Sequence, residues 1–262
     1  MTGGTVLVLA KAPVPGQVKT RLCPPCTPAQ AAEVAAACLA DTVTAVRACG
    51  AGRRVLALAG SPAPGSPAPG SLAPGSLAPG SAACGPAPDS LTADSPAAGG
   101  FRVVPQRGAG LGERIAAAFA DAARLGPTGG GIVQIGMDTP QITPDLLDHC
   151  LATLAAPAVD AVLGPAEDGG WWTMGLRDPA AAALVAAVPM STSDTGRLTE
   201  RALRGAGLRV ALLPVLRDID HWADALAVAA AAPAGRLAAA VAATDARPAT
   251  TDARPAAAGA AR

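Results

Sequence analysis

Ile132-Val133-Gln134-Ile135-Gly136-Met137-Asp138-Thr139-Pro140 is the stretch on which the reading of this chain turns. It follows Gly129-Gly130-Gly131, and its apolar run has the pattern of a strand buried on both faces, as in parallel sheets. Pro140 ends that pattern, and Thr143-Pro144 supplies the N-cap and first position of a helix. One carboxylate, Asp138, is left just past the carboxyl end of the strand, where open α/β sheets bind ligands. Two readings stand there. Asp138 either holds a divalent cation on a phosphate or is a turn aspartate bonded to its own backbone.

Working outward, Thr5 to Ala10 reads as a first buried strand. Lys11-Ala12-Pro13-Val14-Pro15-Gly16-Gln17-Val18-Lys19-Thr20-Arg21-Leu22 follows, and it carries both lysines of the chain beside Arg21. Two prolines and a glycine keep it a loop, and a cationic loop after the first strand is the expected place to grip phosphates. The plain alternative is a solvated surface loop. Thr27-Pro28 then caps a long helix to about Cys49, with apolar positions at helical spacing, and residues 54 to 59 form a second strand. Together these make one βαβ unit.

Phe101 to Val104 is a third strand, and Glu113-Arg114 opens a helix with Ile115, Ala118, Phe119 and Ala122 on one face. The helix from Pro144 ends near Leu154. A strand at Asp160 to Pro165 leads into Ala166-Glu167-Asp168-Gly169-Gly170-Trp171-Trp172, and residues 208 to 213 form the last strand. Adjacent side chains in a strand face opposite ways, so at most one of the two tryptophans lines a ligand pocket. Asp220 reads as a helix N-cap with Ala223 and Leu226 behind it, leaving Asp218 to face the site.

Residues 60 to 98 repeat an Ala-Pro-Gly-Ser unit that builds neither helix nor ladder, so a disordered insertion is expected. The expected domain is therefore 1–232 interrupted by 60–98, with an alanine-rich, largely disordered tail over 233–262. The chain has 262 residues, 50% of them hydrophobic, and a formal net charge of zero. Without a basic face, nucleic-acid binding has no support. The first apolar run is too short to span a membrane or act as a leader, so a cytoplasmic protein is expected. Six cysteines show no disulfide spacing; Cys23-Pro24-Pro25-Cys26 is half a zinc or redox motif with no second half.

Several spaced motifs agree in order: the Lys11–Leu22 loop, Gln106-Arg107-Gly108-Ala109-Gly110-Leu111-Gly112-Glu113-Arg114, Gly136-Met137-Asp138-Thr139-Pro140, Gly164 to Trp172, a Ser-Thr-rich loop at 191–195, and Asp218-Ile219-Asp220-His221-Trp222. In that order they resemble bacterial transferases of GT-A (nucleotide-diphospho-sugar transferase) fold found beside radical-SAM proteins, including arsenosugar-type glycosyltransferases. They are more distantly similar to phospholactate and molybdenum-cofactor guanylyltransferases. The resemblance implies an α/β fold, a three-layer αβα sandwich with a mostly parallel, GT-A/Rossmann-like sheet. It implies an enzyme that moves a sugar from a nucleoside diphosphate to a small-molecule acceptor, or else joins a nucleoside triphosphate to a phosphorylated molecule. A nucleotide-binding protein without activity is a third reading.

By that resemblance Lys11, Lys19, Arg21, Gln106 and Arg114 hold the nucleotide and its phosphates. Asp138 and Asp168 are catalytic, Gly169, Gly170 and Trp171 form the acceptor side, and Asp138 with Asp218 binds Mg²⁺ or Mn²⁺. The glycosyltransferase DxD is here reduced to Gly136-Met137-Asp138. The partners implied are a nucleotide or nucleotide sugar and a small acceptor, with no membrane or nucleic acid and with room for a homodimer.

Overall fold

The computed structural model describes residues 3–60, 100–126 and 129–246. The insertion expected over 60–98 falls, from residue 61, outside the described residues, as does the chain from residue 247. Seven strands form one sheet: β1 (Thr5–Lys11), β2 (Arg53–Ala59), β3 (Arg102–Pro105), β4 (Ile132–Gly136), β5 (Ala161–Pro165), β6 (Trp171–Leu176) and β7 (Val210–Leu212). Their order is β3-β2-β1-β4-β6-β5-β7. All neighbours are parallel except β6, which runs antiparallel between β4 and β5. The fold is α/β with a mostly parallel sheet.

The helices follow from their caps. Thr27 and Gln30 exchange side-chain and backbone bonds of 3.2 and 2.8 Å, so α1 (Pro28–Ala48) starts on a capping box. The Thr143 hydroxyl accepts from Leu146 N–H at 3.2 Å to start α3 (Pro144–Ala155). With α2 (Leu111–Arg124), α4 (Thr195–Gly205) and a 3₁₀ helix at Pro179–Val185, these cover both sheet faces. Val6, Val8 and Val133 pack with Leu39, Val43, Leu147 and Leu151 on the α1/α3 side. Leu7, Leu9 and Val55 pack with Ile115, Phe119, Val185 and Leu203 on the other. Each fully buried Leu, Ile or Phe contributes about 1.5–3 kcal/mol, so these two faces carry most of the stabilisation.

A further layer lies outside α1. Its outer face (Ala31, Val34, Cys38) meets α5 (Trp222–Ala231) and α6 (Arg236–Asp245) through Ala225, Val228, Leu237 and Val241. The expected end of the folded body at residue 232 is therefore too early. Leu237 and Val241, four residues apart, fall on one helical face and bury it. Asp41 on α1 accepts from the Arg236 and Leu237 N–H groups at 3.0 and 2.9 Å, capping α6 from another helix. The cap of α5 also differs from expectation. His221, not Asp220, is its N-cap, and Leu226 is 43% exposed rather than packed behind it.

Candidate functional site

The strand order reverses between β1 and β4, since β2 and β3 lie to one side of β1 and β4 to the other. The carboxyl ends of strands at such a reversal frame a crevice. Lys11 ends β1 there, Asp138 lies two residues beyond β4, and three loops converge on the same edge.

One of these loops runs from β5 to β6 and carries Asp168. Its tip is a tight turn with Gly169 at φ 89°, where a Cβ would lie 2.0 Å from the Ser193 carbonyl oxygen. Only glycine allows that approach. Gly196 N–H donates to Gly169 O at 2.8 Å, so the Ser-Thr-rich loop is fastened directly to the turn. The Asp168 carboxylate accepts from Gly170 N–H at 2.7 Å. The second loop, after β7, carries Asp218 and Asp220. Glu167 and Arg217 pair at 2.6 Å, Glu167 N–H donates to Leu216 O at 3.0 Å, and Trp172 donates to Pro214 O at 2.9 Å. These links bring Asp168, Asp218 and Asp220 together, with one carboxylate oxygen from each within 4.8 Å of the others.

The third loop is Lys11–Leu22. Lys19 adopts a left-handed backbone (φ 50°), and its side chain is 6% exposed. Its ammonium pairs with Asp138 Oδ1 at 2.5 Å and also donates to the Ile219 carbonyl. Ile219 N–H in turn donates to Asp138 O at 2.9 Å. Burial, the largest influence on Lys19, favours the neutral amine. The charge and hydrogen bond of Asp138, with smaller help from Cys38 and Asp220, outweigh it and hold its pKa above the ordinary lysine value. Arg21 pairs with Asp220 at 2.7 Å, the arginine being the more exposed of the two.

Asp218 shows what this crowding costs. Its pKa is pushed up to about 6, first by burial and then by the charge of Asp168, with Asp220 and Asp138 adding less. A backbone hydrogen bond opposes the rise without cancelling it. Three carboxylates at such spacing repel one another unless a cation lies between them. A divalent ion with oxygen ligands at about 2.0–2.6 Å spans about 4–5 Å from ligand to ligand, which the trio fits.

The sequence-expected residues thus separate. Lys19, Arg21, Asp138, Asp168 and Asp218 come together, Gly169 and Gly170 shape the Asp168 turn, and Asp220 joins as a residue read from sequence only as a cap. Of the two expected metal ligands, Asp218 belongs to the trio, whereas Asp138 stands beside it with Lys19. Lys11 is exposed and, by strand alternation with Leu7 and Leu9, lies on the α2 side. Gln106 donates at 2.9 Å to both Ala10 O and Ala57 O, tying the ends of β1 and β2. Arg114 donates to Gly108 O at 3.1 Å at the start of α2. Trp171 packs toward α4 and donates to the Thr199 hydroxyl at 3.2 Å, while Trp172 is core, 3% exposed. The five described cysteines are unpaired thiols, with Cys26 pushed up to about 11 by burial and then by Cys23. Among the described residues, none of them belongs to a cluster suited to a metal.

A concavity of about 360 Å³ lies at the other end of the sheet, by Val159, Arg204 and Arg209. Its guanidiniums are committed, Arg204 to Glu200 at 2.8 Å and Arg209 to Asp160 at 2.7 Å.

With this geometry in hand, the chain can be set beside known proteins. Residues 77–192 match a family described as uncharacterized proteins conserved in bacteria (DUF2064). No curated protein matches the chain. Among solved structures, a protein from Desulfovibrio desulfuricans G20 classed with the nucleotide-diphospho-sugar transferases is similar, with a TM-score of 0.72 and 22% identity over 94% of this chain and 96% of that one. The fold is GT-A/Rossmann-like. Rv0371c from Mycobacterium tuberculosis H37Rv in complex with manganese (TM-score 0.46, 20% identity, covering 86% and 97%) is more distant. So is CMP:2-keto-3-deoxy-manno-octonic acid synthetase complexed with CTP (TM-score 0.47, 11% identity, covering 88% and 99%). Among the described residues no helix is long and apolar enough to cross a membrane.

Proposed function

We propose that this chain is a metal-dependent transferase that moves a sugar from a nucleoside diphosphate donor to a small-molecule acceptor. The observation that carries this reading is a pair of unmatched carboxylates, Asp168 and Asp218, beside the reversal point of the sheet. Lys19 offsets Asp138 and Arg21 offsets Asp220, so the remaining charge is about that of one divalent cation. Mg²⁺ or Mn²⁺ suits an all-carboxylate oxygen set, and Asp168, Asp218 and Asp220 would hold it. When bound, such an ion offsets the charge that develops on a departing phosphate.

The same charge count favours a sugar nucleotide. A nucleoside diphosphate sugar brings about two negative charges and a triphosphate about four, while the nearby cations Lys19 and Arg21 are already engaged. Lys11, Gln106 and Arg114, toward β1–β3, are suited to the nucleotide, and Gly169, Gly170 and Trp171 to the acceptor side. In the transfer an acceptor hydroxyl attacks the anomeric carbon, the bond from that carbon to the β-phosphate oxygen breaks, and the nucleoside diphosphate leaves. The radical-SAM-associated, arsenosugar-type subfamily is the finer form of this reading and rests on the motif resemblance.

The test offers the protein, with Mn²⁺, a panel of nucleotide sugars and nucleoside triphosphates together with a metabolite extract as acceptor. Release of a nucleoside diphosphate from one sugar nucleotide is the expected result. Pyrophosphate released from a triphosphate, with no diphosphate from any sugar nucleotide, would replace glycosyl transfer by nucleotidyl transfer.

A further inference from the structure

Of the buried hydroxyl and amide side chains among the described residues, all but one belong to threonines. The exception is Gln134, 3% exposed within β4. It stands between Leu7 of β1 and Met174 of β6, both fully buried. By alternation with Ile132 it faces the apolar layer on the α2 side. Its amide oxygen is enclosed and has no hydrogen-bond partner. An acceptor left bare inside a core is destabilising, and such groups persist where function needs them. The next residue on the same face is Gly136, at the crevice end of β4. On the neighbouring strands, a Cβ added to Gly164 or Gly175 would strike a side chain at 2.5 Å. A Cβ on Gly136 would meet only the Asp138 amide nitrogen, at 3.8 Å, and Gly136 has no positive φ. Neither packing nor backbone conformation demands glycine there, and a strand glycine of that kind marks close approach by a ligand.

From these two observations we infer that Gln134 selects the transferred sugar, its amide oxygen accepting a hydrogen bond from a sugar hydroxyl that enters the space over Gly136. The inference rests on the proposed reading of a sugar nucleotide donor. Chemistry supports it, because an unpartnered acceptor calls for a donor. Phosphate oxygens are themselves acceptors, whereas a sugar carries several hydroxyls. Position points the same way. On the proposed reading the nucleotide lies toward β1–β3 and the acceptor toward Trp171 on β6, and β4 runs between those strands. What lies over β4 is then the group passed from one to the other. Gln134 and Gly136 are about 6–7 Å apart along the strand, which a long side chain and one hydrogen bond span. Leu7, Leu9 and Met174 offer the amide no competing partner, so a sugar without the matching hydroxyl leaves it bare. A site built to bond a hydroxyl rejects the analogue that lacks it for that reason.

The experiment measures calorimetric affinities, with Mn²⁺ present, for a panel of nucleotide sugars and for their parent nucleoside diphosphates. Wild type should bind one nucleotide sugar more tightly than its diphosphate. Gln134→Met keeps the length and bulk but removes the hydrogen bond. It should weaken that nucleotide sugar about tenfold or more and leave the diphosphate within about twofold. Among the monodeoxy analogues of that nucleotide sugar, one should bind the two proteins alike. The ligand-free variant should melt no lower than wild type, because a bare acceptor is gone. Gly136→Ala places one methyl group in open space, should fold normally and should show the same selective loss; it settles the question if Gln134→Met does not fold. A melting temperature several degrees lower in Gln134→Met would mean that the amide is bonded within the fold, and would overturn the inference. So would equal losses for sugar and diphosphate, or no loss for either. Binding of triphosphates but of no nucleotide sugar by the wild type would instead remove the sugar-nucleotide reading itself, and the inference with it.

Discussion

A single aspartate and a cluster of them sit at opposite ends of the same sheet and meet opposite surroundings. At the amino ends of β5 and β7, Asp160 accepts from the Arg209 backbone N–H at 2.9 Å and from its guanidinium at 2.7 and 2.8 Å. Those bonds hold the Asp160 carboxyl well below the usual range. At the carboxyl ends, Asp218 is crowded by Asp168, Asp220 and Asp138, and its pKa rises to about 6. One region is balanced in itself and the other only with something added. On the proposed reading, that difference separates the scaffold end of the sheet from the ligand end.

The sharpest way to break this contrast is to remove one charge from each end. Asp218→Asn should weaken Mn²⁺ binding by more than about 100-fold, beyond the 10–100-fold cost of losing an outer partner. The same change should raise the melting temperature of the metal-free protein by about 2–4 °C, the shift that about 1 kcal/mol gives in a chain of this size. Asp160→Asn should lower the melting temperature and leave Mn²⁺ binding unchanged. The pH dependences are opposite too. Asp218 holds its proton more tightly folded than unfolded, so metal-free stability should fall as pH rises from about 4 through about 6. Asp160, with its pKa depressed, adds stability above the unfolded value and loses it as pH falls through the folded one. Thermal melts of the wild type beside the two variants across pH 3–8 check both signs, each dependence being lost in the variant that lacks its group.

A middle-sized test compares two glycines. Gly169 has φ 89°, and an added Cβ would strike Ser193 O at 2.0 Å; Gly207, near the Asp160 end, has φ 85° and nothing within 4 Å. Gly207→Ala should cost only backbone strain, about 1 kcal/mol. Gly169→Ala should cost about 2–5 kcal/mol, since strain and overpacking combine, and should weaken Mn²⁺ binding as the Asp168 turn moves. Urea unfolding and Mn²⁺ titration measure both. Equal costs would mean that the turn yields and does not fix Asp168.

The smallest effect concerns the link between the site's two acidic loops. Glu167→Gln removes an exposed ion pair with Arg217 and should cost less than about 1 kcal/mol. A loss of Mn²⁺ affinity of about two- to fivefold is expected, because the pair aligns the Asp168 and Asp218 loops. An unchanged affinity would mean that the backbone links alone hold them.

These residues also show what the sequence could reveal. The run at 132–136, the caps Thr27 and Thr143, and the helical face at Ile115 to Ala122 are local patterns, and each element formed where its pattern lay. The antiparallel insertion of β6 between β4 and β5 was less legible, because periodicity marks strands but not their neighbours. Asp220 was misread for a related reason. An acid just before a helical pattern looks like a cap, while its approach to Asp168 depends on pairing through β5, β6 and β7. The burial of Lys19 was hidden likewise: charge in a loop suggests solvent or phosphate, and nothing local shows that Asp138 and Ile219 close over it. Leu237 and Val241 lay in a stretch whose alanines masked the two residues that dock α6 on α1.

The bond from Lys19 to the Ile219 carbonyl spans 200 positions of the chain. Closing so long a loop from an unfolded chain costs several kcal/mol of entropy, about (3/2)RT ln n before any constant. The sheet offsets that cost by holding the ends of the loop together. The free energy that holds the mutually repelling carboxylates together comes from the core on either side of the sheet. A nascent chain released before residue 219 would carry Asp138 and Asp168 on a nearly complete sheet and still lack the crevice.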